Sequence, residues 1–203
     1  MIAIIDYDIG NIAAVSNMLS RIGLQSHITS SPEDVERADR IILPGNGSFD
    51  ACMKNLRATG LIPVLERKVL EQHTPLLGIC VGAQMLGLGS EEGAEQGLGW
   101  LDMEVLRFPD MPDLRVPHMG WNHVRSISLT HSLTREIAND ARFYFVHSYY
   151  MQPKNSSDIL MSATYGIEFA AGVSRGNISG VQFHPEKSHR FGKQLLASFA
   201  GSN

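Results

Sequence analysis

A chain of 203 residues, 43% hydrophobic and 19% charged, is long enough to bury a core as a single domain over residues 1–203 and too apolar for disorder. Its formal charge of -4, from 17 Lys and Arg against 21 Asp and Glu, offers no basic surface for nucleic acid. No apolar run approaches the roughly 20 residues of a membrane span, and the N-terminus lacks a basic leader, so a cytoplasmic chain is expected.

In chain order, the first half alternates short apolar runs with helical patterns. Ile2 to Ile5 reads as a buried strand. Val15, Met18, Leu19 and Ile22 recur at helical spacing from Ile12 to Ile22, and Gly23 ends that helix. Ser26 to Ile28 and Arg40 to Leu43 read as strands, the second stopped by Pro44-Gly45. Helical patterns follow at Phe49 to Leu56 and Leu61 to Leu70. Leu76 to Ile79 is a fourth strand, with a helix after Cys80. Strand-helix alternation of this kind predicts an α/β fold, a doubly wound, mixed and largely parallel sheet with helices on both faces. The second half is richer in strands: Val116 to Val124, Phe143 to Tyr150, Ile159 to Ala163, Ile167 to Val173 and Ile178 to Phe183, with a closing helix from His189 to Phe199. They are expected on the same sheet.

The pentapeptide Gly78-Ile79-Cys80-Val81-Gly82 places a thiol where a strand turns into a helix. A residue at such a turn is pushed out of the surface, and flanking glycines remove the side chains that would collide with it. The helix that follows aims free N–H groups at the sulfur, which favours thiolate, and the Val81 N–H sits where an oxyanion would develop. Cys52, inside a helical pattern, reads as an ordinary core residue. Two cysteines cannot by themselves make a zinc site, and no metal or other cofactor is expected.

A thiol nucleophile needs a base, and the base needs an orienting group. In "GVQFHPEKS", residues 180 to 188, a strand ends at Phe183, His184 leaves the sheet edge, and Pro185 turns the chain so that Glu186 can reach back to the imidazole. In "LPGNGSF", residues 43 to 49, two glycines bracket Asn46 after a strand; such a loop can present a backbone N–H to an anion or serve as a tight turn. His118 and His147 stand in dense motifs and carry no assigned role from the residues alone.

The loop at Gly45, the elbow at Cys80 and the His-Pro-Glu at His184, in this order, resemble the class I (triad) glutamine amidotransferases. "DYDIGN", "VPHMGWN", "FYFVHSYY" and "GVQFHPEKS" narrow the resemblance to the glutaminase subunits of imidazole glycerol phosphate synthase, along almost the whole chain. Three positions depart from that family's usual pattern: Asp8, Asn46 and Ala83.

The resemblance implies that Cys80, His184 and Glu186 form a catalytic triad hydrolysing L-glutamine. It implies an oxyanion site from Val81 and the Gly45-Asn46-Gly47 loop, and substrate contacts at Gln84, Ser148 and Tyr149. It also implies a heterodimer with a (β/α)₈ barrel cyclase that receives the ammonia and makes imidazole glycerol phosphate, with His118, Trp121, Asn122, Tyr144 and Lys187 at the junction. A paralogous reading keeps the chemistry and sends ammonia to a related barrel protein that builds an amidino group on surface sugars. An α/β-hydrolase or cysteine peptidase would usually place the acid before the histidine, whereas Glu186 follows His184. A scaffold that only activates its synthase would have no need of an intact triad.

Overall fold

The computed structural model describes residues 1–112, 114–138 and 140–201. Its first half is built from β1 (Ile2–Ile5), α1 (Ile12–Arg21), β2 (Ser26–Thr29), α2 (Pro32–Glu36), β3 (Arg40–Gly45), α3 (Phe49–Ala58), α4 (Ile62–Glu66), β4 (Leu76–Cys80) and α5 (Val81–Gln84). The second half adds β5 (Met103–Arg107), β6 (His118–His123), β7 (Arg125–Ser126), β8 (Arg142–His147), β9 (Tyr149–Pro153), β10 (Ile159–Tyr165), β11 (Ile167–Arg175), β12 (Ile178–Val181) and α6 (His189–Gly201).

The main sheet runs β2-β1-β3-β4-β12-β11-β10-β7, with β9 joining β11 to β5. β2, β1, β3, β4 and β12 are mutually parallel, and the order turns antiparallel at β11. Every residue of β1, β4 and β12 is buried. Successive side chains of a strand point to opposite faces, so these strands are covered on both sides, as the expected doubly wound architecture requires. The helices form by the same logic: α1 buries Val15, Met18 and Leu19, and α3 buries Phe49, Cys52, Met53 and Leu56. The Ser48 hydroxyl accepts the Ala51 N–H at 3.4 Å and so starts α3 immediately after the 44–47 loop.

Several expected elements take a different form. The helix expected to run to Leu70 is α4 only to Glu66 and continues over Arg67–Glu71 as a wider π-type turn. The helix after Cys80 is a single turn, Val81–Gln84. The strand expected over 116–124 starts at His118 and pairs with β8 as a separate two-stranded ribbon, off the main sheet. The strand expected over 143–150 is two strands, broken at Ser148, whose second half crosses to the main sheet. β5 and α2 had no counterpart in the sequence reading. Among the described residues no helix is long and apolar enough to cross a membrane.

Candidate active site

β3 and β4 end side by side. Their parallel register sets Gly45 opposite Cys80, so the 44–47 loop and the elbow leave the sheet at the same edge. Cys80 has φ 54° and ψ -114°, a left-handed conformation that costs a non-glycine residue on the order of 1–3 kcal/mol and is held here by its surroundings. The tightest of these is at Gly82, where a Cβ would lie 2.0 Å from the Leu43 carbonyl oxygen; at Gly78 it would lie 2.6 Å from the Ala83 Cα. Only glycine lets the turn after Cys80 press this closely against β3 and β4.

β12 lies on the other side of β4, with Val181 opposite Ile79, and the chain beyond it carries His184 to the same edge. The His184 N–H donates to the Tyr144 carbonyl at 2.9 Å, which ties the segment to β8. Ser188 completes the tie: its hydroxyl accepts the Tyr144 N–H at 3.0 Å and donates to the His184 carbonyl at 2.6 Å. A short 3₁₀ turn, Pro185–Lys187, then brings Glu186 Oε1 to 2.8 Å from His184 Nδ1. The other ring nitrogen, Nε2, is buried without a hydrogen-bond partner, as is Glu186 Oε2. Burial by itself would favour the neutral ring. The Cys80 sulfur and the Glu186 carboxylate outweigh it and push His184 up to about 10, so the imidazolium is the favoured form at neutral pH.

The cleft at this edge is lined by Cys80, Val81, Gln84, Asn46 and Gly47, and on its far wall by Pro117 and the segment from Val146 to Tyr149. Thus Cys80, Val81, Asn46, Gly47, Gln84, Ser148 and Tyr149 meet in one place, although they come from three separate stretches of chain. His184 and Glu186 stand behind it, buried.

Four further residues belong to the site and were not singled out from sequence. Gln182 is fully buried; its amide reaches Cys80 Sγ at 3.9 Å, and its carbonyl accepts from Gln84 Nε2 at 3.1 Å. Glu92 lines the cleft and accepts the Phe49 N–H at 2.8 Å. Cys52, read as core, is buried, but its thiol donates to the Asn46 carbonyl at 3.5 Å. Tyr7 donates its hydroxyl to the Pro44 carbonyl, and burial holds it far above the ordinary phenol range, so it stays a donor. The 44–47 loop therefore has polar tethers at Pro44 and Asn46. A Gln one residue after a strand, or a Tyr after the first strand, carries no local signal that separates it from packing.

The residues expected at a partner junction divide. Trp121 is 45% exposed and stacks on His189 at 5.4 Å; it faces Tyr144 across the ribbon, and the Lys187 amino group sits 5.7 Å from the Tyr144 ring centre. Asn122 is half-buried beside Trp121. His118 differs from the expectation: it is 3% exposed, because its ring is sandwiched between Phe145 and Tyr165, with centroids at 4.7 and 4.0 Å. Among the described residues no group of His, Cys, Asp and Glu has the arrangement of a metal site.

Comparison with known proteins gives the family and the fold. The profile of the family "Glutamine amidotransferase class-I" matches residues 3–201. "Imidazole glycerol phosphate synthase subunit HisH 2" of Pseudomonas aeruginosa is 55% identical over 199 residues, covering 98% of each chain. The protein of the same name from Methanococcus maripaludis is 47% identical, again over 98% of each chain. A solved structure described as a glutamine amidotransferase superposes with a TM-score of 0.75 at 20% identity, over 97% of this chain and 96% of the other, a likeness of fold.

Proposed function

The chain belongs to the class-I glutamine amidotransferases, in the group of the imidazole glycerol phosphate synthase glutaminase subunits, and from that premise we propose that it releases ammonia from L-glutamine through Cys80, His184 and Glu186 for a barrel cyclase. The observation that carries the reading is His184. One ring nitrogen is held by Glu186 at 2.8 Å, and the other is buried with no hydrogen-bond partner, on a ring whose charged form the Cys80 sulfur and Glu186 favour. An imidazolium beside sulfur stabilises the thiolate, which is the nucleophile.

The thiolate adds to the side-chain carbonyl of glutamine, and negative charge moves onto the oxygen. The Val81 N–H and a backbone N–H of the Gly45-Asn46-Gly47 loop receive it; one such donor contributes about a hundred- to a thousandfold in rate. Collapse breaks the carbon–nitrogen bond as His184 gives its proton to the leaving nitrogen, so ammonia departs and a glutamyl thioester remains. His184, now neutral, takes a proton from the incoming water. Attack of that water releases glutamate, the second water proton passing to solvent, and returns Cys80 to thiolate and His184 to imidazolium. Gln84, one turn beyond Cys80, contacts the substrate amide, and Ser148 and Tyr149 hold the amino-acid end of the substrate at the far wall of the cleft.

The acceptor is the histidine-pathway cyclase, a (β/α)₈ barrel. Its docking face is the ribbon where Met119 and Trp121 stand 62% and 45% exposed, beside Tyr144 and Lys187. Large apolar side chains clustered on one face are the residue types that anchor interfaces.

The test is glutamate release from glutamine, by the chain alone and with the cyclase and its phosphoribulosyl substrate. Strong stimulation supports both halves of the reading. Cys80→Ala and His184→Ala are each expected to abolish release with the fold intact, and near wild-type turnover in either sinks the triad. Absence of stimulation, while a glutamine-mimicking electrophile still labels Cys80, leaves the chemistry standing and moves the ammonia to a different acceptor.

A further inference from the structure

His118 of β6 and His147 of β8 face each other in the antiparallel register, and their rings are joined, Nδ1 of His118 to Nε2 of His147, at 3.0 Å. Two buried imidazoles in contact must divide their protons, and the groups at either end decide how. His147 Nδ1 lies 2.8 Å from the Tyr149 carbonyl, which can only accept, so the proton of His147 is on Nδ1. Burial pushes His147 down to about 3 and His118 down to about 4, so both rings are neutral at physiological pH. His147 Nε2 is therefore bare and accepts, and His118 carries its proton on Nδ1. That leaves His118 Nε2 bare, and the Asn122 amide lies 3.3 Å from it; the same amide donates to the Thr164 carbonyl at 2.9 Å, which fixes its orientation.

The donors thus point one way, from Asn122 to His118 to His147 to the Tyr149 carbonyl. The line does not stop there. Gln84 Nε2 gives one hydrogen to that carbonyl at 3.0 Å and the other to Gln182 Oε1 at 3.1 Å, and the Gln182 amide reaches Cys80 Sγ at 3.9 Å. Both lone pairs of the Tyr149 carbonyl are occupied, as are both hydrogens of the Gln84 amide. His147 and Tyr149 also line the cleft.

We propose that Asn122, His118 and His147 are positioning residues, whose one-way order of donors locks the Tyr149 carbonyl, where the amino-acid end of glutamine is held, and through it the Gln84 amide, where the substrate amide is contacted. This rests on the glutaminase reading above. A neutral aromatic wedge would fill the same volume but could not impose that order, since the stacking partners Phe145 and Tyr165 accept any flat ring. Loss of the donor at His118 leaves His147 Nε2 buried and unpaired, and the ring is then free to reverse its proton and release Tyr149.

The test uses trapping of Cys80 by 6-diazo-5-oxo-L-norleucine, a reactive glutamine analogue, with saturation kinetics to separate its binding constant from its limiting rate. Iodoacetamide, which has no amino-acid end, reports the thiol alone. His118→Phe is expected to weaken analogue binding roughly ten- to hundredfold, with the limiting rate and the iodoacetamide rate changed less than about threefold. His118→Asn, which restores a donor at the Nδ1 position, is expected to recover most of the binding. Equal binding in His118→Phe and wild type, or an Asn variant as impaired as the Phe variant, overturns the proposal. Nitrogen-15 spectra of the wild type test it without any variant: His118 and His147 are both expected as Nδ1–H tautomers, and an Nε2–H form of His147 overturns it. Failure of the analogue to label wild-type Cys80 would instead overturn the glutaminase reading.

Discussion

Gly45 stands directly across from Cys80 in the pairing of β3 with β4, and that one register puts the proposed nucleophile beside the loop proposed to receive the oxyanion. The approach is so close that a Cβ on Gly45 would fall 2.1 Å from the Gly82 nitrogen. The elbow and the loop are therefore a single packed unit, and disturbing either displaces both.

Glycine positions in this unit are expected to separate into two kinds. Gly82→Ala drives a methyl group into the Leu43 carbonyl, 2.0 Å away, and is expected to cost about 3 kcal/mol or more together with glutaminase activity. Gly47→Ala meets no atom within 4 Å; its cost comes from φ +94° and is expected near 1–2 kcal/mol. Urea denaturation of the two variants checks the order, and equal losses would contradict the packing account.

Gln182→Leu keeps the volume and removes the amide that joins Gln84 to Cys80. One hydrogen of the buried Gln84 amide is left unpaired, a penalty of about 1–3 kcal/mol. The expected result is a fall in kcat/KM for glutamine of roughly ten- to a hundredfold, with the thermal midpoint lowered by several degrees. A variant with wild-type kcat/KM would show that Gln182 only fills space.

Stability is expected to fall on the acid side because of the histidine pair. Their folded pKa values, about 4 for His118 and about 3 for His147, lie below the ordinary 6.5. Below pH 6.5 the unfolded chain takes up protons that the folded chain refuses, so folding weakens progressively from there toward pH 4 and 3. The loss reaches on the order of a few kcal/mol across that window. Urea midpoints at pH 7.5 and 5 measure it, and His118→Phe, which has one fewer group to protonate, is expected to show a shallower decline. A wild-type profile flat between those pH values would be inconsistent with neutral rings.

Trp121→Ala is expected to weaken binding of the barrel partner by about 2 kcal/mol, or roughly thirtyfold. Cys80 labelling in the isolated chain should be unaffected, since Trp121 stacks on His189 at the surface and not on the cleft. Titration of the two subunits followed by glutamate release measures the change; unaltered affinity would move the docking face elsewhere.

The parallel core, the elbow and the His-Pro-Glu turn were legible in the sequence because each is written locally. A buried parallel strand needs only a run such as Leu76-Leu77, an elbow needs glycines two residues on either side of Cys80, and Glu186 reaches His184 within one turn. What local signals could not show was pairing at long range. Whether 116–124 joined the main sheet or made its own ribbon depended on β8, some 25 residues away, and on the break at Ser148 that sends β9 elsewhere. The same break buries His118, which alternation alone would have left free to face either side, and sets it against His147. Gln182 and Tyr7 entered the site only through the register of β1, β3, β4 and β12. Hydrogen bonds between residues 37 to 102 positions apart are decided by how the layers close, and no single stretch of the chain holds that information.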